Sequence, residues 1–327
     1  KTEKLGILKI ENEKLKTAFI KEVNGNVYIS NYNDGFIKVA EEKNYINKIT
    51  NVTGSIWSMA KNSSSIYIIN DESKIFNYNK NFVLKEIIKT NIPHGPKSML
   101  ATDENIYIGS SAGLFSINIK DKTEYQLLDK NVFSIKRFKD KFYVSTFQGD
   151  IYVLNLNGET IDLIETRTNY PVYDTLLVDD TLWIASQSGL IEYKKNKLKN
   201  IYSEDFVFNI IHVNDSIYFG TRNAVLSLNL TNNKQLKINS ILKRNKIIYS
   251  LSKINNIILA ASNREVNIID LENKNTFTLN VDNGSLEDYN SQSSLIFDGK
   301  VLLGSNDGVG VTEPSDVIRK IQKGKES

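Results

Sequence analysis

Asn105-Ile106-Tyr107-Ile108-Gly109-Ser110-Ser111-Ala112-Gly113-Leu114-Phe115-Ser116-Ile117-Asn118-Ile119 reads as two short strands joined by a tight turn. Ile, Tyr, Leu and Phe suit a pleated, largely buried surface. The unbroken apolar run Ile106-Tyr107-Ile108 marks a strand covered on both faces. Gly113 supplies the turn with a residue that tolerates positive φ. The same hairpin begins at Asn26, Ser65, Asn105, Lys141, Thr181, Ser216, Asn256 and Lys300. Its first apolar residues, at 27, 66, 106, 142, 182, 217, 257 and 301, lie 35 to 44 residues apart. A period near 40 with several strands per unit belongs to the blades of a β-propeller.

Each later hairpin is preceded by another apolar run, such as Val132–Phe138 or Val172–Val178. A more polar strand follows several of them, such as Glu124–Leu128 or Lys197–Tyr202. That order gives four antiparallel strands per unit, with the polar one outermost. No stretch shows helical periodicity, so the class is all-β. Eight hairpins predict a single propeller of eight blades over residues 1–314, with 315–327 as a tail or the start of a linker. The last unit lacks its outer strand, and an extra strand, Leu5–Ile10, opens the chain. Pairing the two would close the ring and remove an open sheet edge. Seven blades is the alternative.

Composition narrows the function classes. The chain has 327 residues, 40% hydrophobic and 24% charged, in the ordinary globular range. Its 41 basic and 38 acidic residues nearly balance, and the lysines scatter through turns, so no nucleic-acid partner is expected. There is no cysteine, which excludes a disulfide and a cysteine nucleophile. His94 and His212 are the two histidines, too few and too far apart to predict a metal centre. No G-x-S-x-G elbow, P-loop or G-x-G-x-x-G is present. No cofactor and no catalytic residue is expected, and the chain reads as a binding module rather than an enzyme. A propeller enzyme of the polysaccharide lyase or lactonase type, or a protein-interaction scaffold, is the alternative.

The units resemble the two-component regulator propeller repeats of periplasmic sensor regions in bacterial hybrid histidine kinases and related receptors. That repeat runs N-x-V, D-x-x-G-x-L-W-I-G-T and G-G-L-x-x-Y. Asn131-Val132, Leu182-Trp183-Ile184-Ala185, Tyr218-Phe219-Gly220-Thr221, Gly113-Leu114 and Gly189-Leu190-Ile191-Glu192-Tyr193 match parts of it. The stretch Asn283–Asn290, then Val301–Gly308, Pro314 and Val317-Ile318, is similar to the last blade of such sensors. The resemblance implies a periplasmic or extracellular ectodomain that senses a ligand or partner. It implies a membrane link only through segments outside this sequence, and a homodimer in the full receptor.

Propeller topology brings the loops entering each innermost strand to one face, together with the turns inside each inner hairpin. That face is the predicted working face. It collects the candidate ligand-binding residues Arg222, Arg244, Arg264, Tyr170, Tyr173, Trp57 and Tyr289, with Lys97, Phe133, Phe147 and Phe206. Only six arginines occur, and three fall here. A guanidinium is a flat fork that grips carboxylates and sugar hydroxyls. Convergence of Arg222, Arg244 and Arg264 with aromatic rings predicts a polar small molecule such as a glycan fragment, or a protein partner. Treatment with a strong chelator should leave the melting temperature unchanged. A large drop would reveal a structural metal, since such metals contribute folding free energy directly.

Overall fold

The structure is a computed structural model and describes residues 17–23, 26–31, 35–39, 44–49, 51–93, 95–231 and 237–326. The chain divides into two compact units, Lys1–Lys43 and Asn44–Ser327. The first contains a three-stranded sheet of Thr17–Val23, Asn26–Asn31 and Gly35–Val39. The second contains seven four-stranded antiparallel sheets. Their innermost strands are Ile56–Lys61, Pro96–Ala101, Val132–Phe138, Val172–Val178, Asn209–Val213, Ser250–Ile254 and Tyr289–Phe297. Numbered in that order, each contacts the next, and the seventh contacts the first. The fold is a seven-bladed β-propeller.

Seven blades is the alternative count, and eight is corrected. The hairpin from Asn26 belongs to the separate three-stranded sheet, so one of the eight sequence units lies outside the ring. The physical reason is the strand Asn47–Ile49. By sequence it stands in the fourth slot of the first unit. In space it pairs with the last strand of blade seven, through Val309↔Ile49, Gly310↔Lys48 and Val311↔Asn47. Leu5–Ile10 lies outside the described residues, but the edge assigned to it is taken by Asn47–Ile49. Pro314–Glu326 is an α-helix, and it lays Val317 and Ile318 into a core cluster with Ile46, Val301 and Leu303. Its apolar residues are few and crowded into one turn, which hid the helix from a periodicity reading.

Two recurrent positions hold each blade to the next. A buried residue stands at the start of each innermost strand, or two residues before it in blades five and six: Ile56, Pro96, Val132, Val172, Val207, Ile248 and Tyr289. Most of these are aliphatic and press on the preceding blade, where some blades carry glycine. A Cβ at Gly109 would lie 2.5 Å from Val132 Cγ1, and one at Gly220 would lie 2.8 Å from Ile248 Cγ2. Two residues further on, or four in blade seven, comes a buried polar side chain: Ser58, Ser98, Ser134, Asp174, Asn209, Ser250 and Ser293. Several of these bond across the seam. The Met99 N–H donates to Ser58 Oγ (2.9 Å), Asn209 Nδ2 to the Ile248 carbonyl (2.8 Å), and Ser293 Oγ to the Ile56 carbonyl (3.0 Å). Bonds between buried groups of this kind contribute about 1 kcal/mol each and are costly to leave unmade.

A chain starting at Asn44 should unfold cooperatively near the temperature of the full chain. One starting at Thr53 loses Ile46, the closing strand and Val52, and should melt at least about 5 °C lower. Thermal unfolding followed by circular dichroism checks both. Equal melting temperatures for the two truncations would contradict closure by Asn47–Ile49.

Candidate functional site

The innermost strands of the first four blades carry one β-bulge each, at one place. In blade one, Ile56 pairs with Asn70 and Ser58 with Ile69, so Trp57 is the extra residue. By the same register shift the extra residue is Lys97 in blade two, Phe133 in blade three and Tyr173 in blade four. Phe208 and Tyr249 precede the regular ladders of blades five and six, where their N–H groups donate to Gly220 O and Ala261 O, both at 2.9 Å. A bulge bends its strand and re-aims a side chain. Here it turns one residue per blade out of the inter-blade packing toward the channel mouth.

Four of these positions, with neighbours from the loops, make a continuous arc. Lys97 Nζ lies 5.4 Å from the centre of the Phe133 ring and 5.6 Å from that of Phe147. Phe133 meets Tyr173 edge-on at 5.0 Å, and Tyr173 meets Phe208 at 5.1 Å. Phe208 meets Phe206 at 6.2 Å, and the Arg222 guanidinium stacks on Phe206 at 4.5 Å. Such ring pairs contribute roughly 0.5–1.5 kcal/mol beyond their buried area. Lys97, Phe133, Tyr173, Phe206 and Phe208 are half-buried, while Arg222, Trp57 (37%), Phe147 (46%) and Tyr170 (49%) are exposed.

The charges sort by whether they have partners. Arg222 pairs with the buried carboxylate of Asp205, which also accepts its backbone N–H. Arg244 pairs with Glu265 at 3.1 Å and donates to Asn267 (3.2 Å) and Thr278 (2.9 Å). Arg264 faces Glu287 at 3.6 Å. Each predicted arginine therefore has an acid beside it, and Glu265 is shared with Lys246 at 2.9 Å. Arg244 is turned toward the outer strands of blade six, away from the arc, and of the three only Arg222 is part of it. Lys97 is different. Among the described residues no carboxylate pairs with it, and burial alone pushes its ammonium below the usual lysine range. Below the arc, Asp174 is the one carboxylate in the buried polar ring, with Lys136 Nζ at 3.0 Å and the Ile210 N–H at 3.2 Å.

Of the other predicted residues, Tyr173 lies at the centre of the arc, Trp57 holds the bulge of blade one, and Tyr170 sits in the loop entering blade four. Tyr289 is 2% exposed and fills the buried position that is aliphatic in most other blades. Its hydroxyl accepts from the Leu286 N–H at 2.9 Å and lies 3.1 Å from Ser285 Oγ, so it braces the loop into blade seven. His94 lies outside the described residues. His212 is part-buried within Asn209–Val213 and its carbonyl accepts from Lys253. Sequence reasoning placed Lys97, Phe133 and Phe206 on this face but did not mark them as the site. Phe208 it missed. The available signal was the residue just before each buried Ser, Asp or Asn. Among the described residues no group of three or more His, Asp or Glu could hold a metal ion.

Known structures share this fold. The chain superposes on the extracellular domain of the putative one component system BT4673 from B. thetaiotaomicron with a TM-score of 0.70 at 15% identity. That match covers 83% of this chain and 40% of the other, so this chain spans under half of its length. The extracellular domain of the putative hybrid two component system BT3049 from the same organism gives 0.70 at 16%, over 93% and 46%. The WD40 β-propeller domain of Doa1 gives 0.67 at 14%, over 81% and 94%. At these identities the likeness is one of fold. No family model matches the chain, and no curated protein matches it in sequence.

Burial raises the pKa of Tyr289 and Tyr173 above 10.0. Their neutral forms are favoured in the fold, whereas the unfolded chain ionises near the ordinary value. Stability should therefore hold up to about pH 10 and fall as pH rises beyond it. Tyr289→Phe should flatten that alkaline limb and cost about 1 kcal/mol at neutral pH through the lost bonds to Leu286 and Ser285. Urea unfolding from pH 7 to 11 checks both. An unchanged limb would show that Tyr289 ionises freely in the fold.

Proposed function

We propose that this propeller is the sensing ectodomain of a bacterial membrane-bound signalling receptor, and that it acts by binding rather than by catalysis. One observation carries the reading: three bulge positions and the equivalent Phe208 build an arc of rings and one cation, Lys97, which has no acidic partner among the described residues. Aromatic faces bind the apolar faces of sugar rings and flat groups, and the unmatched Lys97 attracts an acceptor or an anion. A polar small molecule such as a glycan fragment presents both. One further point supports the reading. Extracellular domains of one- and two-component systems share the fold. Among the described residues no helix is long and apolar enough to cross a membrane.

The two tryptophans supply the assay. Trp183 is 3% exposed and Trp57 is 37% exposed, so fluorescence changes on titration report the mouth. Titration with neutral and acidic oligosaccharides should change the emission for at least one class. Lys97→Met and Tyr173→Ala should each weaken that binding by about tenfold or more while the melting temperature stays within about 2 °C for Lys97→Met. Binding that survives both substitutions would move the site elsewhere. Turnover of a bound sugar would favour the enzyme reading instead.

A further inference from the structure

Blade seven departs from the bulge pattern of the others. Tyr289 pairs with Ser305 and the next ladder pair is Ser294↔Leu303, so four residues face the single Gly304. Where the other bulges have one extra residue, blade seven has three, Asn290-Ser291-Gln292. Both flanks use left-handed backbone, with φ of 25° at Asp288 and 57° at Gln292. Neither is glycine, so neighbouring contacts must hold the conformation.

Those contacts are specific. Asn290 Nδ2 donates to the Ile56 carbonyl (2.8 Å) and to Ser55 Oγ (3.1 Å), and Ser293 Oγ donates to the Ile56 carbonyl (3.0 Å). Both ends are thus pinned to blade one. Gln292 goes the other way. Its Nε2 donates to the main-chain carbonyl of Tyr173, on blade four. In a seven-membered ring, blades four and seven are as far apart as two blades can be, so this bond spans the channel mouth. It ends on the bulge residue at the centre of the aromatic arc.

We infer that residues 290–292 form a strap across the channel mouth, in which the Gln292 carboxamide occupies the place of a ligand donor group on the Tyr173 carbonyl. The inference rests on the sensing reading and gives it a mechanism. A ligand that brings its own N–H or O–H to that carbonyl, as a polyol or an amide does, displaces Gln292 and frees the strap. The displaced residues belong to blade seven, the blade whose last strand leads directly into the C-terminal helix Pro314–Glu326. Occupation of the arc is thereby passed across the ring to the element at which the chain leaves it. Ligands without a donor edge are disfavoured, because they would leave the carbonyl unpaired.

The absence of cysteine makes the strap directly measurable. Ser291→Cys places a single thiol at its apex, and the reaction rate with a chromogenic disulfide reports how open the strap is. Gln292→Glu keeps the size of the side chain and removes the donor. In the Ser291→Cys background it should raise the thiol rate by roughly two- to tenfold, the factor of one net hydrogen bond. Melting temperature should fall by no more than about 4 °C, and Gln292→Ala should give the same increase. An oligosaccharide that changes Trp57 emission should, at saturation, bring the Ser291→Cys rate up to that of the double variant. Equal rates with and without Gln292→Glu overturn the strap. Sugar binding that leaves the thiol rate unchanged overturns the displacement. A raised rate in Gln292→Glu with no sugar bound to the wild type counts against the sensing reading alone, and leaves the strap in place.

Discussion

The ring depends on a three-residue strand. Asn47–Ile49 completes blade seven from the N-terminal side, so the last blade is tied to chain that precedes the first. Without it the seventh sheet would present an open edge, and nothing covalent would keep blades seven and one together. Ile46, at the foot of the strand, is buried with Val301, Leu303, Val317 and Ile318. The Thr312 hydroxyl donates to the Tyr45 carbonyl at 2.9 Å. Closure thus combines ladder bonds, a packed side chain and the C-terminal helix on one blade.

Closure also fixes the face that carries the candidate site. In a closed ring each innermost strand has two neighbours, and the buried residue, bulge and polar residue recur at one height. The buried polar side chain supports the bulge from below and bonds to the next blade at several seams. The bulge side chain cannot join that packing and is turned to the mouth. Aromatic residues occupy this position in blades one and three to six and a lysine in blade two, while blade seven replaces it with the strap. The candidate site therefore follows from the packing scheme: one strand position, repeated around the ring and bulged in four blades, supplies its walls.

Electrostatics separates scaffold from site on this face. Arg222, Arg244, Arg264 and Lys136 each have a carboxylate beside them, which offsets their charge. Lys97 has ring faces instead. A partly buried ammonium without an acid keeps an unspent attraction for a ligand, and its desolvation is already met by the fold. This is why a lysine in the commonest cationic class marks the candidate site better than the scarce arginines do.

Much of the architecture was legible in the residues. The runs around Ile106 and Ile184, their turn glycines and a spacing near 40 determined an all-β propeller of four-stranded blades, because unbroken apolar runs and turn chemistry are local properties. The face that collects Trp57, Tyr173 and Arg222 was legible too, since strand order alone sends those loops to one side. Tertiary structure decided the rest. Asn47–Ile49 reads as the outer strand of its own unit, and only long-range pairing with Gly308–Thr312 makes it the closure and the count seven. Arginine partners such as Asp205 and Glu265 lie 17 and 21 residues away in sequence, so the pairing that cancels them has no local signal. Tyr289 looked like a binding aromatic, yet its register places it in the core. Gln292 carries no motif at all; its bond to Tyr173, 119 residues away, exists only because a closed ring sets blades four and seven across one channel.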